Sequence, residues 1–262
     1  MGSNMSEGTV HYDVLGVVAR ITFDRRAARN AMTWAMYDQL DAALGWLEAD
    51  PAVRVVELRG AGGHFVAGTD IGQFASFSSG DDGVTYERRL EGIVSRLETL
   101  RVPTVAVVQG NAAGAGLLFA AVCDIRVCTP DAMFSAPIAR TVGNTLSLAS
   151  IARLVAHLGP SRTKALLMTA GAIEAAEARA TGFVNSVVEP DRLDQKVSEL
   201  LEKLAGLAPL TLRATKQMVA LVTGEVTSAA AEDVVRWVYG SRDFREGVRA
   251  FGEKRSPEWE GK

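Results

Sequence analysis

Two stretches of the chain repeat one pattern, a run of apolar residues that ends at glycine and leads into a turn of alanine and glycine. They are residues 55–68, "VVELRGAGGHFVAG", and residues 105–116, "VAVVQGNAAGAG", and they begin 50 residues apart. A repeat of this period, with a helical pattern between its copies, is typical of a coiled array of strand–strand–helix units. The sequence therefore predicts an α/β fold in which each unit buries one face against the next.

The remaining patterns predict the other elements of such an array. Residues 9–16 and 17–23 predict two strands joined by a tight turn. Two amphipathic helices follow, the first capped by Thr33 and the second ending before Pro103. From about residue 146 onward the pattern is almost wholly helical.

The length allows one large domain, or a main domain with a helical appendage, in a chain of 262 residues. We predict a spiral core over residues 1–200 and a C-terminal helical region over residues 201–262 that serves as a lid or as an assembly layer. Residues 1–4 are interpreted as a cloning remnant before Met5.

Composition narrows the function classes. The net charge of −3 gives no reason to expect nucleic acid or an anionic membrane as a partner. No apolar run approaches the roughly 20 residues of a membrane span, and no export signal is visible, so a cytoplasmic location is expected. Cys123 and Cys128 are predicted to be core thiols, and the three histidines lack metal-ligand spacing, so no metal site is expected.

The glycine-rich turns have two chemical uses and one structural one. A phosphate loop requires a Lys–Ser/Thr pair after its last glycine, whereas Leu117 follows Gly116. The second use is for backbone N–H groups to hold an oxygen that becomes negative during a reaction, with Ala67 and Ala115 as the unhindered donors. The structural alternative is a tight strand-to-helix turn and nothing more.

Six segments, taken together, resemble the crotonase superfamily, also called the enoyl-CoA hydratase/isomerase family. They occur in that family's order and spacing: "FDRRAARNAM", "GHFVAGTDI", "VQGNAAGAGLLFAAVCD", "MFSAP", "ARATGFVNSVV" and "REGVRAFGEKRSPEW". The resemblance implies a right-handed spiral of ββα units and acyl-CoA thioester ligands, with coenzyme A present only as part of the substrate. It also implies C-terminal helices that mediate a homotrimer or a dimer of trimers, and an oxyanion hole formed by the amides of Ala67 and Ala115.

The same resemblance implies a set of residues near coenzyme A. They are Arg25, Ala27, Ala28, Thr69, Asp70, Ile71, Lys254 and Arg255. Asp70 has a helix cap as its alternative role. Lys254 and Arg255 have a solvated tail as theirs.

Hydratases of this family hold a water between two glutamates, and this chain has neither. Leu118 and Ile138 occupy the corresponding positions. Hydration is the reaction that suffers most from the loss, because each general acid–base term contributes about 10²–10⁴ in rate. Double-bond migration needs one proton-shuttling group, and decarboxylation of a malonyl-type thioester needs none to form the enolate.

Substitute polar groups are available in two places. Arg140 and Asn144 lie in a loop where some relatives place active-site groups, and Glu87 and Glu91 lie on the helix that commonly edges the acyl pocket. The alternative for both glutamates is a solvated helix charge. Two functions remain open: an acyl-CoA enzyme of the hydratase/isomerase class, or its decarboxylase relatives, working through an enolate; and a catalytically silent acyl-CoA binder.

Overall fold

The chain winds through nine strands and nine α-helices, besides two short 3₁₀ helices, in the part that the structure describes. This computed structural model describes residues 7–223, 237, 241–253 and 255–262. The strands are β1 (Thr9–Leu15), β2 (Val18–Asp24), β3 (Val55–Gly60), β4 (Thr104–Val108), β5 (Asn111–Ala113), β6 (Ile125–Cys128), β7 (Met133–Ser135), β8 (Ala172–Glu174) and β9 (Ser186–Val187). The helices are α1 (Trp34–Ala49), α2 (Gly80–Thr99), α3 (Ala115–Val122), α4 (Ile138–Thr141), α5 (Leu148–Met168), α6 (Ala175–Ala180), α7 (Pro190–Ala205), α8 (Pro209–Thr223) and α9 (Arg242–Glu253).

The larger sheet advances by one strand with each crossover. Its order is β1-β2-β3-β4-β6-β9, and every pair except the β1–β2 hairpin is parallel. Helices α1, α2 and α3 make the first three crossovers, from β2 to β3, from β3 to β4 and from β4 towards β6. The smaller sheet has the order β5-β7-β8, with β5 parallel to β7 and β7 antiparallel to β8. The predicted α/β spiral and its C-terminal helical region are confirmed.

The sequence signals for α1 and α2 act as expected. The Thr33 hydroxyl accepts the Met36 N–H at 3.2 Å and caps α1, whose apolar face is buried against the sheet. Helix α2 ends at Thr99, ahead of Pro103, and also buries one apolar face. These two helices and α3 form the main hydrophobic core with the larger sheet.

The predicted division at residue 200 falls inside a helix. Helix α7 covers the opposite face of the larger sheet, where Leu193, Val197 and Leu201 pack with Val55 and Val105. Because this contact buries the outer face of β3 and β4, the core continues through α7 to Ala205. The C-terminal region then begins with α8. Residues 1–4, interpreted as a cloning remnant, lie outside the described residues.

Two of the strands are very short, and one helix is interrupted. Strands β8 and β9 have three and two residues, too few for a pattern of alternation to reveal them. Gly159 has φ 74° within α5, where Gly159 and Pro160 interrupt the helical pattern. Within the described ranges, no helix is both long and apolar enough to cross a membrane, and no group of three or more potential ligands could hold a metal ion.

The two cysteines are core residues, as predicted. Cys123 and Cys128 are both buried and free. Burial raises the pKa of each thiol to about 12, so neither is a thiolate at neutral pH.

Candidate functional site

Two glycine turns meet at one end of the spiral. Gly68 follows β3 by one loop and has φ 98°, and Gly114 precedes α3 with φ 51°, so both use backbone that favours glycine. A Cβ built on Gly114 would lie 3.7 Å from the Cα of Gly68, so the two turns touch through these residues. The contact therefore brings Thr69 and Ala115, which directly follow the two glycines, close to each other.

The prediction that Ala67 supplies the first amide is wrong. Its N–H already donates to the carbonyl oxygen of Arg29 at 3.1 Å. Met32 and the turn exchange two further bonds, from the Met32 N–H to the Gly68 carbonyl at 2.8 Å and from the Asp70 N–H to the Met32 carbonyl at 2.9 Å. The Thr69 N–H lies between these bonds and has no partner among the described residues. Thr69, which like Ala115 follows a positive-φ glycine, is therefore the available donor.

The Ala115 amide lies at the first position of α3. The first bond of this helix runs from the Leu118 N–H to the Gly114 carbonyl at 3.1 Å, and within the described ranges the Ala115 N–H has no acceptor. Its φ is not positive, so alanine is accommodated without strain. The orphan N–H groups of a helix N-terminus favour a negatively charged oxygen.

The opposite end of α3 is closed by a buried arginine. The Arg126 guanidinium donates to the carbonyls of Ala120 and Ala121 at 3.1 Å each and also to that of Cys123. All eight residues of α3 are buried and uncharged. The helix is thus anchored within the core, with its N-terminal amides directed at the two turns.

Gly116 allows α3 to approach the first turn. A Cβ at this position would lie 2.0 Å from the Val66 carbonyl oxygen and 2.8 Å from the Val66 Cβ. We expect Gly116→Ala to lower the free energy of unfolding by about 3 kcal/mol, since overpacking against backbone cannot be relieved by a rotamer change. In urea unfolding, the matched control Gly92→Ala, at an exposed position of α2 where a Cβ meets nothing, should instead raise the free energy of unfolding by about 1 kcal/mol. Equal midpoints for the two variants would contradict the close approach.

The side chain of Thr69 is fixed by two tyrosines. Its hydroxyl lies 2.6 Å from that of Tyr37 and 2.7 Å from that of Tyr86. Burial raises the pKa of both phenols, so both remain neutral hydrogen-bonding groups. Sequence reasoning missed this arrangement, because residues 37, 69 and 86 are far apart in the chain. It holds the turn that presents the Thr69 N–H.

An apolar cleft of about 900 Å³ lies beside this turn. Phe74, Phe77 and Tyr86 line one side, and the loop of residues 142–147 lines the other. Tyr86 joins the cleft to the two turns through its bond to Thr69.

Of the two loop residues that were predicted as substitute polar groups, Asn144 lines the cleft. Arg140 is exposed on α4 and is not part of the lining. At the positions implied for the usual glutamates, Leu118 is fully buried in α3 and Ile138 packs against the core. Neither side chain can transfer a proton.

Glu87 and Glu91, the two glutamates of α2 that were predicted as substitute groups, both line the cleft but have different partners. The Glu87 carboxylate lines the cleft, where it accepts the Ser147 N–H at 2.8 Å. Burial raises the pKa of Glu87, the Ser147 bond lowers it, and the charge of Glu91 raises it again, with a net upward shift. Glu91 forms a bidentate pair with Arg153, with both N–O distances 2.8 Å. Glu91 is therefore held in an ion pair with Arg153, whereas Glu87 has no ion-pair partner among the described residues.

The residues expected near coenzyme A divide into two groups. Arg25 is buried, with 5% of its side chain exposed, and it pairs with Asp70 at 2.6 Å. Asp70 also accepts the Gly72 N–H at 2.9 Å and so caps the 3₁₀ helix Ile71–Ser76, which confirms the alternative role. The expectation that Arg25 lines the ligand path is therefore corrected: it braces the Asp70 turn from inside.

The second group contains three residues that a ligand could contact and one that is held in ion pairs. Ala27 and Ile71 are exposed and Ala28 is half-buried, so contact with a ligand stays a prediction for them. Arg255 pairs with Glu246 and with Glu253, at 2.6 Å each. Lys254 lies outside the described residues.

Comparison with known proteins shows the family to which the chain belongs. A sequence model described as enoyl-CoA hydratase/isomerase matches residues 15–262. The chain belongs to the enoyl-CoA hydratase/isomerase family. Among relatives of this family member, the short-chain-enoyl-CoA hydratase of Clostridium acetobutylicum is 33% identical over 252 residues, which cover 93% of this chain and 94% of that protein.

Solved structures agree as well. This enoyl-CoA hydratase/isomerase family member superimposes on an enoyl-CoA hydratase/carnithine racemase from Magnetospirillum magneticum with a TM-score of 0.90 and 28% identity, over 97% of this chain and 96% of that chain. An enoyl-CoA hydratase from Bacillus anthracis gives a TM-score of 0.87 with 26% identity, over 97% and 99%. The crotonase-like architecture is thus shared along nearly the full length.

Proposed function

We propose that this protein is an acyl-CoA thioester enzyme that stabilises a thioester enolate between the amides of Thr69 and Ala115. The observation that carries the proposal is the contact of the two turns. Each presents an N–H without a partner among the described residues, directly after a positive-φ glycine, and the glycines touch. Two fixed donors at one oxygen stabilise the charge that develops on it, and each is worth about 10²–10³ in rate.

The family relationship supports the ligand class. The relatives that the chain matches along almost their entire length include a short-chain-enoyl-CoA hydratase. An acyl-CoA thioester offers the one group this site needs, a carbonyl oxygen that becomes negative when a proton leaves the α-carbon. The apolar cleft beside the turns would receive the acyl group.

We assign proton transfer to Glu87, which lines the cleft and has no arginine partner among the described residues. A single carboxylate can take a proton from one carbon and return it to another, which is double-bond migration. Hydration requires a water held between two such groups, and Leu118 and Ile138 cannot hold one. Isomerisation or another enolate reaction is therefore proposed in preference to efficient hydration of simple enoyl-CoA.

Hydrogen–deuterium exchange at the α-carbon tests the proposal. Butyryl-CoA and phenylacetyl-CoA are incubated with the protein in D₂O and followed by mass spectrometry, and crotonyl-CoA hydration is measured in parallel. We expect catalysed exchange, with hydration at least about 100-fold slower than for a two-glutamate relative. Thioester binding without exchange would identify a silent binder instead, and fast hydration would overturn the preference for isomerisation.

We also propose that the C-terminal region, α8 onward, mediates a homotrimer or a dimer of trimers. The basis is the family relationship. Sedimentation equilibrium of the full chain would give three or six protomers, and a monomer at micromolar concentration would contradict the assembly.

A further inference from the structure

The wall of the cleft is built from packed aromatic rings. The centroid of Phe74 lies 5.1 Å from that of Phe77 and 5.0 Å from that of Tyr86, in edge-to-face geometry. Trp34 backs all three, and its ring is parallel to Phe77 at 6.5 Å. Such a surface offers both ring faces and ring edges to a ligand, the arrangement that aromatic groups prefer in one another.

The cleft is also wider than a short acyl chain requires. Its volume of about 900 Å³ is near the upper end of the range of about 300–1,000 Å³ for pockets that enclose drug-sized ligands. Three of its lining residues are glycines, Gly80, Gly83 and Gly143, and a Cβ on any of them would have no atom within 4 Å. These three positions add no side chain to the cleft, which helps to keep it open beside the aromatic wall.

We infer that the acyl group of the substrate carries an aromatic ring, which packs on Phe74, Phe77 and Tyr86 and fills the space above Gly83. This inference rests on the proposed function, since it takes the thioester to lie at the two turns. A straight four-carbon chain would touch little of the wall and leave most of the cleft open. Of the charged residues that line the cleft, Glu91 pairs with Arg153, whereas Glu87 and Arg88 carry opposite charges. Neither sign of charge on the ring is favoured, so an uncharged ring is expected.

Gly83 is the residue whose substitution tests this inference. It lies on α2 one turn before Glu87, its φ is not positive, and leucine is the better helix former. Gly83→Leu should therefore fold normally and fill the cleft. Gly92→Leu is the matched control, because Gly92 lies on the same helix, is exposed and is outside the cleft.

The experiment measures dissociation constants by calorimetry for phenylacetyl-CoA, butyryl-CoA, octanoyl-CoA and free coenzyme A. In the wild-type protein we expect phenylacetyl-CoA to bind about tenfold more tightly than butyryl-CoA and more tightly than octanoyl-CoA. Gly83→Leu should remove that tenfold advantage and leave free coenzyme A unchanged, whereas Gly92→Leu should change neither.

Two results would overturn the inference and leave the proposed function intact: equal affinity for the phenylacetyl and butyryl esters, or tightest binding of the octanoyl ester, which would indicate a straight-chain tunnel. If no thioester binds more tightly than free coenzyme A, the proposed function itself fails. The wild-type comparison decides between these outcomes even if the leucine variant does not fold.

Discussion

Ala115→Pro is expected to lower the rate of α-proton exchange by about 10²–10³ while the protein remains folded. Proline has no N–H, so the variant removes one of the two amides proposed to hold the enolate oxygen. Ala115 is the first residue of α3, and proline is favoured at that position because its N–H has no partner within the helix. The rate is measured in D₂O with phenylacetyl-CoA, and folding by thermal unfolding.

Ala115→Gly is the control for this variant. Glycine keeps the N–H, removes only a methyl group, and should retain the exchange rate within a few-fold. An Ala115→Pro protein that melts normally and exchanges at the wild-type rate would show that the amide plays no part. A similar loss in both variants would indicate that packing around Ala115, and not its N–H, controls the rate.

Glu87→Gln is expected to lower exchange by about 10²–10⁴, the usual contribution of a general base. Glutamine can still accept the Ser147 N–H through its side-chain carbonyl, so the link between α2 and the start of α5 is preserved. The control is Glu98→Gln, on the same helix and outside the cleft, which shares Arg153 with Glu91 and should exchange at the wild-type rate. Exchange unchanged in Glu87→Gln would remove Glu87 from the mechanism.

The pH dependence of the same variants gives a second readout. Burial raises the pKa of Glu87 above the ordinary glutamate value of 4.5, and only the carboxylate accepts a proton. The exchange rate of the wild-type protein should therefore fall as the pH is lowered, with a midpoint above pH 4.5. A carboxyl with a raised pKa in the folded state contributes stability at low pH that is lost as the pH rises through that pKa. Glu87→Gln should therefore melt at the same or a higher temperature than wild type at pH 7.

The fold could be predicted from the sequence because the patterns that indicate its elements are local. The apolar spacing of α1, the cap at Thr33 and the repeated strand-and-turn pattern each involve residues close in the chain. The boundary at residue 200 was wrong for the opposite reason, since only the packing of α7 on the sheet shows that it belongs with the core. Helix periodicity alone cannot say against which surface a helix packs.

The candidate site could be predicted from the sequence only in part. Sequence reasoning singled out both turns, which the structure brings into contact, while the loss of the two usual glutamates at Leu118 and Ile138 stays a prediction. It chose Ala67 instead of Thr69, because hydrogen-bond partners such as the Arg29 carbonyl are set by tertiary contact. A signal was nevertheless present: Ala115 follows Gly114, and the residue that stands in the same relation to Gly68 is Thr69.

The buried Arg126 has an electrostatic consequence for the reacting oxygen. Helix α3 is eight residues long, so the guanidinium lies about 12 Å behind the Ala115 amide. At an effective dielectric constant of about 20, a unit charge at that distance stabilises a new negative charge by about 1 kcal/mol. The arginine also cancels the negative pole of the helix, which leaves the positive pole unopposed where the enolate is proposed to form. A buried residue at the far end of α3 thus adds a permanent favourable potential at the proposed oxyanion site.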